Sequence, residues 1–200
     1  MVISFFIAPI LQMKNIQELN LFPFSELLEH YGKRYVLKSH QTIINVGDQC
    51  DKVYYILKGG LLRRFYNPHS DDFKTISFHL PDYRSVVTIN KSFFSNTPSN
   101  YELKAFKTSE LIIIKNSDLE SINAQNEELQ NFYNQQIINS LILENELKSR
   151  LISFNSIEFY NYICQEYPEI IKSVPSKYIA EFMGISAEWL SKLKKERSSS

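Results

Sequence analysis

The sequence predicts an α+β chain in three parts: a small antiparallel β-barrel or sandwich, a long central helix, and a C-terminal pair of short helices. Three observations predict it. Gly32, Gly47, Gly59 and Gly60 all fall in the first third, between short segments of strand character. Near residue 118 the apolar period changes from that of a strand to that of a helix. Finally, "AEFMGISAEWLSKLKKE", residues 180–196, joins two helical patterns at a single glycine, Gly184.

The strand candidates run in order: "RYVLK", "TIINV", "KVYYILK", "LLRRFYN", "FKTISFH", "NYELKAF" and "ELIIIK". In "YELKA", Tyr101, Leu103 and Ala105 alternate with Glu102 and Lys104, the period of a half-buried strand. Seven such strands with turn signals between them suit a barrel or a sandwich. Ahead of them, "MVISFFIAPILQM" is the one membrane-like run. It is too short to span a bilayer and lacks the basic start of a signal peptide. It reads as a buried or loosely packed N-terminal segment, and Met13 offers an alternative natural start to Met1.

From Ser117 or Asp118, either of which suits a helix start, "SDLESINAQNEELQNFYNQQIINSLILENELKSRL" has neither Gly nor Pro. Leu129, Tyr133, Ile137 and Leu141 fall four apart, and so do Leu143, Leu147 and Leu151. Two readings are open: one stripe rests on the chain's own body and the other on a second chain, or both form one broad core face. Tyr133, Ile137, Leu141 and Leu147 are the candidate dimer contacts, on a segment of about 127–149. A further amphipathic helix is expected over 156–167, and Pro168 and Pro175 punctuate the connection to the terminal pair.

In that pair, Pro175 and Ser176 open the first helix, and Ile179 and Met183 share its inner face beside the small Ala180. Gly184 is expected to make a tight turn where a side chain would clash. Ser186 caps the second helix, which begins near Ala187, and Glu188 stands in its first turn. Leu190 and Leu193 point inward, with Trp189 at the boundary. At about 100° per residue, Glu188, Ser191, Lys192 and Lys195 collect on the opposite face. Such a polar row can read base edges, with Lys192 donating to guanine and Glu188 accepting from a cytosine amino group. Lys177 and Lys194 suit backbone phosphates.

Charge and composition narrow the function. Basic and acidic side chains balance at 22 each, but residues 1–118 carry 14 basic and 11 acidic, 119–171 carry 2 and 8, and 172–200 carry 6 and 3. A positive terminal module beside an acidic middle favours phosphate contact at the C-terminus. Cys50 and Cys164 are the only cysteines, which argues against a disulfide framework or a four-cysteine cluster and suits a reducing cytoplasm. No metal or cofactor is expected. A catalytic reading finds no His-x-His triad, nucleophile motif, phosphate loop or carboxylate pair, so an enzyme is not expected.

The parts together resemble the cyclic-AMP receptor protein / Fnr (Crp/Fnr) superfamily of bacterial transcription regulators over roughly residues 14–197. "INVGDQCDKVYYILKGGLLRRFY" is similar to the barrel signature, and "YPEIIKSVPSKYIAEFMGISAEWLSKLKKE" to the DNA-binding module of a Bacteroidetes-like subgroup. The resemblance implies a cyclic-nucleotide-binding-like jelly-roll barrel (1–118), a dimerisation helix (119–151) and a helix-turn-helix domain (152–200). It implies a homodimer on a palindromic double-stranded DNA operator, RNA polymerase as a further partner, and a small-molecule effector pocket between the 83–100 loop and the long helix.

The chain departs from the family at that pocket. Nucleotide-binding members present a Gly-Glu pair and then an Arg before Ser or Thr. Here "HLPDYRSVVTINKSFFSNTPSNYELKAF" has no Gly, its one Glu is Glu102 in the next strand, and Ser99 and Asn100 stand where the Arg would fall. Arg84 and Lys91 are at the wrong end. The expectation is a degenerate cassette that does not bind cyclic AMP, with Phe78, Tyr83, Phe93, Phe94 or Tyr101 filling vacated space. Candidate pocket residues are Phe78, Tyr83 and Arg84 on one side, Ser99, Asn100 and Tyr101 on another, and Tyr133 from the helix. His30, His40, His69 and His79 read as solvated or hydrogen-bonded rather than as haem ligands. The subgroup carries Arg where Lys192 stands, and the end at Ser200 leaves little room for a β-hairpin wing. The competing function is a degenerate barrel that binds a small ligand or a protein without reading DNA.

Overall fold

The computed structural model describes residues 28–125 and 127–198. The membrane-like opening run and the choice between Met1 and Met13 lie outside the described residues, as does the side chain of Leu129. In chain order the strands are β1 (Lys33–Leu37), β2 (Thr42–Ile44), β3 (Lys52–Lys58), β4 (Leu61–Asn67), β5 (Asp72–His79), β6 (Val86–Val87), β7 (Tyr101–Ala105) and β8 (Ser109–Lys115). The helices are α1 (Asn90–Ser95), α2 (Asn116–Gln125), α3 (Glu127–Ser153), α4 (Ser156–Glu166), α5 (Pro168–Ser173), α6 (Ser176–Met183) and α7 (Ala187–Ser198).

The backbone ladders form two antiparallel four-stranded sheets, β1-β8-β3-β6 and β2-β7-β4-β5. Of the two expected forms the ladders make the sandwich; no ladder closes the sheets into one barrel among the described residues. The interior holds Leu37, Tyr54, Ile56 and Leu111 from the first sheet against Ile44, Leu61, Leu103 and Ala105 from the second. Alternation along each strand sends the neighbouring residues outward. Val53, Tyr55, Ile112 and Ile114 therefore cover the outer face of the first sheet, where Leu28, Phe93, Leu119 and Tyr133 pack on them.

The outer face of the second sheet carries the C-terminal helices. Leu62 and Phe78 join Phe159, Ile163, Ile170, Tyr178, Ile179 and Leu190 in one buried cluster. Asn155 starts α4 with a capping box, its side chain accepting from the Ile157 and Glu158 backbones while Glu158 returns a bond to the Asn155 N–H. Pro168 opens α5, where a missing N–H costs nothing. The turn between β3 and β4 requires Gly59: its φ is +91°, and an added Cβ would lie 2.5 Å from the Ser109 backbone.

Candidate nucleic-acid interface and the cleft behind it

The terminal pair is built locally. Gly184 ends α6 at φ +67°, and the Ile185 N–H returns to the Ala180 carbonyl. The expected clash is not what selects glycine here, because an added Cβ would meet nothing within 4 Å. The left-handed backbone alone does so. The Ser186 hydroxyl accepts from the Trp189 N–H at 3.1 Å and caps α7. Leu190 and Leu193 are buried, which turns Ala187, Glu188, Ser191, Lys192 and Lys195 outward to solvent together with Ser186.

The electrostatics of that row are simple. Hydrogen bonds from its own backbone N–H and from Ser186 hold the Glu188 carboxyl below its ordinary range, so it is an anion and a pure acceptor near neutral pH. Lys192 Nζ lies 5.8 Å from the centre of the half-exposed Trp189 ring. Lys177 lies over Tyr178 at 4.6 Å. Lys194 donates to Ser176 Oγ, which ties its ammonium to the start of α6.

The pair is docked on the second sheet. Arg64 reaches Glu102 at 3.1 Å and Glu181 of α6 at 3.5 Å, and Thr75 donates to Glu181 at 2.7 Å. The Phe78 and Phe182 rings meet edge to face at 5.0 Å, as do Tyr83 and Tyr167 at 5.3 Å. Burial pushes the Tyr83 hydroxyl up to about 12. Phe78 and Tyr83, expected as pocket liners, thus belong to the core shared by sheet and helices.

The remaining candidate pocket residues are dispersed. Ser99 is buried in its own turn, where its hydroxyl bonds the Tyr101 backbone; Asn100 is exposed. Tyr133 packs on the outer face of the first sheet and Phe93 beside it, while Phe94 is 59% exposed. Arg84 and Tyr101 alone of the seven border a common opening, a cleft of about 410 Å³ between β4, β5, α3 and Phe182.

Inside that cleft Arg63 and Arg84 both donate to Glu144 Oε1, at 2.6 and 2.5 Å. Desolvation pushes the Glu144 carboxyl up, but the two guanidinium groups outweigh it and hold it below its usual range. Arg84 takes its place at φ +54°, a left-handed backbone unusual for a side chain of this size. Buried His79 braces it: Nδ1 donates to the Arg84 carbonyl at 3.1 Å, and Nε2 accepts from the Ser77 hydroxyl at 3.0 Å. Desolvation, with Arg84 and Arg63 nearby, drives the imidazole well below its ordinary pKa, so it is neutral. Histidine 79 is therefore hydrogen-bonded, as its sequence reading had it.

Sequence reasoning missed Arg63, Arg64, Glu144 and Glu181. The signal was "LLRRFYN": side chains alternate faces along a regular strand, so two adjacent arginines cannot both sit on its solvent face. Arg63 bonds the long helix and Arg64 the terminal helix pair. Glu102, expected on a solvent face, is buried because Arg64 and Thr42 satisfy it.

No protein-family model and no curated protein sequence matches the chain. Among solved structures the fold is similar to FixK2 of Bradyrhizobium japonicum, with a TM-score of 0.70 at 13% identity, covering 84% of this chain and 85% of that one. It is also similar to CLP of Xanthomonas campestris, a c-di-GMP-responsive global regulator, with a TM-score of 0.64 at 16% identity and coverage of 88% and 90%. The catabolite activator protein of Thermus thermophilus matches with a TM-score of 0.54 at 15% identity and coverage of 91% and 85%. The chain thus has the fold of these proteins, antiparallel sheets followed by a long helix and a C-terminal helix pair. Among the described residues no helix is long and apolar enough to cross a membrane.

Proposed function

We propose that the chain is a sequence-specific DNA-binding transcription regulator of the Crp/Fnr type, working in the cytoplasm as a homodimer, without enzymatic activity. The observation that carries this reading is the outward row of α7. Glu188, Ser191, Lys192 and Lys195 are exposed on a helix anchored from beneath by Leu190 and Leu193. Helices so presented enter the major groove, and two copies related by a two-fold axis suit a palindromic operator. Lys192 and Glu188 read bases, Ser191 and Lys195 extend the same face, and Lys177 and Lys194 hold backbone phosphates. RNA polymerase is the further partner of such a regulator. Residues 1–118 serve as the sensor, 119–151 as the dimer helix and 152–200 as the reading domain.

The dimer face needs revision. Tyr133 and Leu147 pack on the protomer's own body. Ile138, Leu141 and Ile142 stand exposed at i, i+3 and i+4 on α3, Leu141 at 58%. We therefore assign the partner copy to that stripe, with half-buried Ile137 at its edge. The reading also holds that cyclic AMP is not the effector. α1 carries no glycine, and the segment before β7 supplies Ser99 and Asn100 where an arginine would hold a cyclic phosphate.

An electrophoretic mobility shift on promoter fragments, with unlabelled competitor DNA, tests the reading. A shift resistant to non-specific competitor, and unchanged by cyclic AMP, is the expected result. Loss of every shift under competition transfers the chain to the ligand- or protein-binding reading.

A further inference from the structure

We infer that Trp189 is a specificity-determining residue of α7, resting on the 5-methyl group of a thymine at or beside the base pair that Lys192 reads. The inference rests on DNA reading by that helix and adds a chemistry that the polar row does not supply.

Trp189 is the one tryptophan of the chain, and it is 38% exposed. Tryptophan is large and on average highly buried. Among the described residues Trp189 joins none of the buried clusters, nor the apolar side chains packed against them. The core therefore does not account for its size. Its backbone is nonetheless fixed. The Ser186 hydroxyl accepts from its N–H at 3.1 Å, and Leu190, the next residue, is buried. A rigid aromatic ring on an anchored helix offers contact area at little cost in conformational entropy.

The position specifies what it meets. Trp189 stands about 60° round the helix from Lys192, at the edge of the outward row, and both side chains lean toward the start of α7. Lys192 Nζ lies 5.8 Å from the centre of the ring. Successive base pairs are about 3.4 Å apart, so two tips this close meet the same pair or adjacent ones. Glu188, Ser191, Lys192 and Lys195 bring hydrogen bonds and charge to the groove but no large apolar surface. The major groove presents donors and acceptors at every pair and one apolar group, the thymine methyl. The indole face matches that group. A phosphate could use only the indole N–H and would leave the ring in water. Trp189 thus separates thymine from cytosine at a position where the polar row reads hydrogen bonds.

The test starts from duplexes that the full chain selects from a random pool. Each thymine of the enriched motif, on either strand, is replaced singly by deoxyuridine, which lacks only the methyl, and affinity is read by fluorescence anisotropy of a labelled duplex. One replacement, at or beside the guanine whose preference Lys192→Ala relaxes, should weaken the parent about fourfold, the worth of one buried methyl. Trp189→Ala should hold the thymine and deoxyuridine duplexes equally at that position. Trp189→Leu, which keeps an apolar body, should retain part of the difference. Three results overturn the inference and leave DNA reading standing, because a motif has been enriched: no thymine replacement there weakens the parent, or the motif has no thymine there; Trp189→Ala loses as much on replacement as the parent does; or Trp189→Ala weakens all sequences alike with the methyl preference kept, which is a backbone contact. A parent that enriches no motif overturns DNA reading and this inference together.

Discussion

Arg64 in β4 reaches Glu181 in α6 at 3.5 Å, so the second sheet and the first helix of the terminal pair share one ion pair. Glu181 also accepts from Thr75 at 2.7 Å, and Arg64 is held from its other side by Glu102. The pair is partly shielded, and hydrogen bonds to charged groups in such settings contribute about 1.5–3 kcal/mol. Glu181→Ala should therefore lower the melting temperature and speed proteolysis at the 153–156 joint between α3 and α4. Unchanged proteolysis would mean that the apolar contacts of Phe78 and Phe182 suffice for docking.

On α3, Leu141→Asp should give monomers in light scattering with an intact fold. Each buried aliphatic side chain contributes about 1.5–3 kcal/mol to association, so a charge there is decisive. Leu147→Asp should instead unfold the protomer, because Leu147 is buried within it. A parent that is already monomeric at the concentrations of the assay contradicts the assigned face.

Much of this was legible in the sequence. The strand segments and the terminal helix pair are local patterns, and local patterns survive folding: Leu190 and Leu193 had to be inward once Gly184 and Ser186 fixed the ends. β6 was not legible, since two valines show no period. The exposed apolar stripe of α3 was half legible. Spacing puts Tyr133, Ile137 and Leu141 on one side of a helix but does not say that Tyr133 lands on Tyr55 and Ile112. The cleft was least legible. Arg63 and Glu144 lie 81 residues apart, and only the tertiary fold joins them.

Acidification should expose two separate losses of stability. The folded His79 imidazole has a pKa well below the ordinary histidine value of 6.5, so the unfolded chain binds the extra proton first. Stability is then full above about 6.5 and falls as the pH drops beneath it. Glu144 behaves as a depressed carboxyl: its contribution is present above the ordinary glutamate value of 4.5 and is lost as the pH falls through the lower folded value. His79→Gln should flatten the first decline and Glu144→Gln the second, in chemical denaturation followed across pH. Identical pH profiles for parent and His79→Gln would contradict the neutral, buried imidazole.

The central claim is that α7 reads sequence and that Lys192 is its principal reader. The direct measurement is selection of duplexes from a random pool by the parent, by Lys192→Ala and by Lys194→Ala. Loss of a base contact costs about 1–3 kcal/mol and relaxes preference at one position, whereas loss of a phosphate contact weakens all sequences alike. The account predicts a palindromic motif for the parent, altered sequences for Lys192→Ala, and the same motif more weakly held for Lys194→Ala. Identical motifs and affinities in all three would show that the reading helix is misassigned, and a parent that enriches no motif would contradict DNA reading itself.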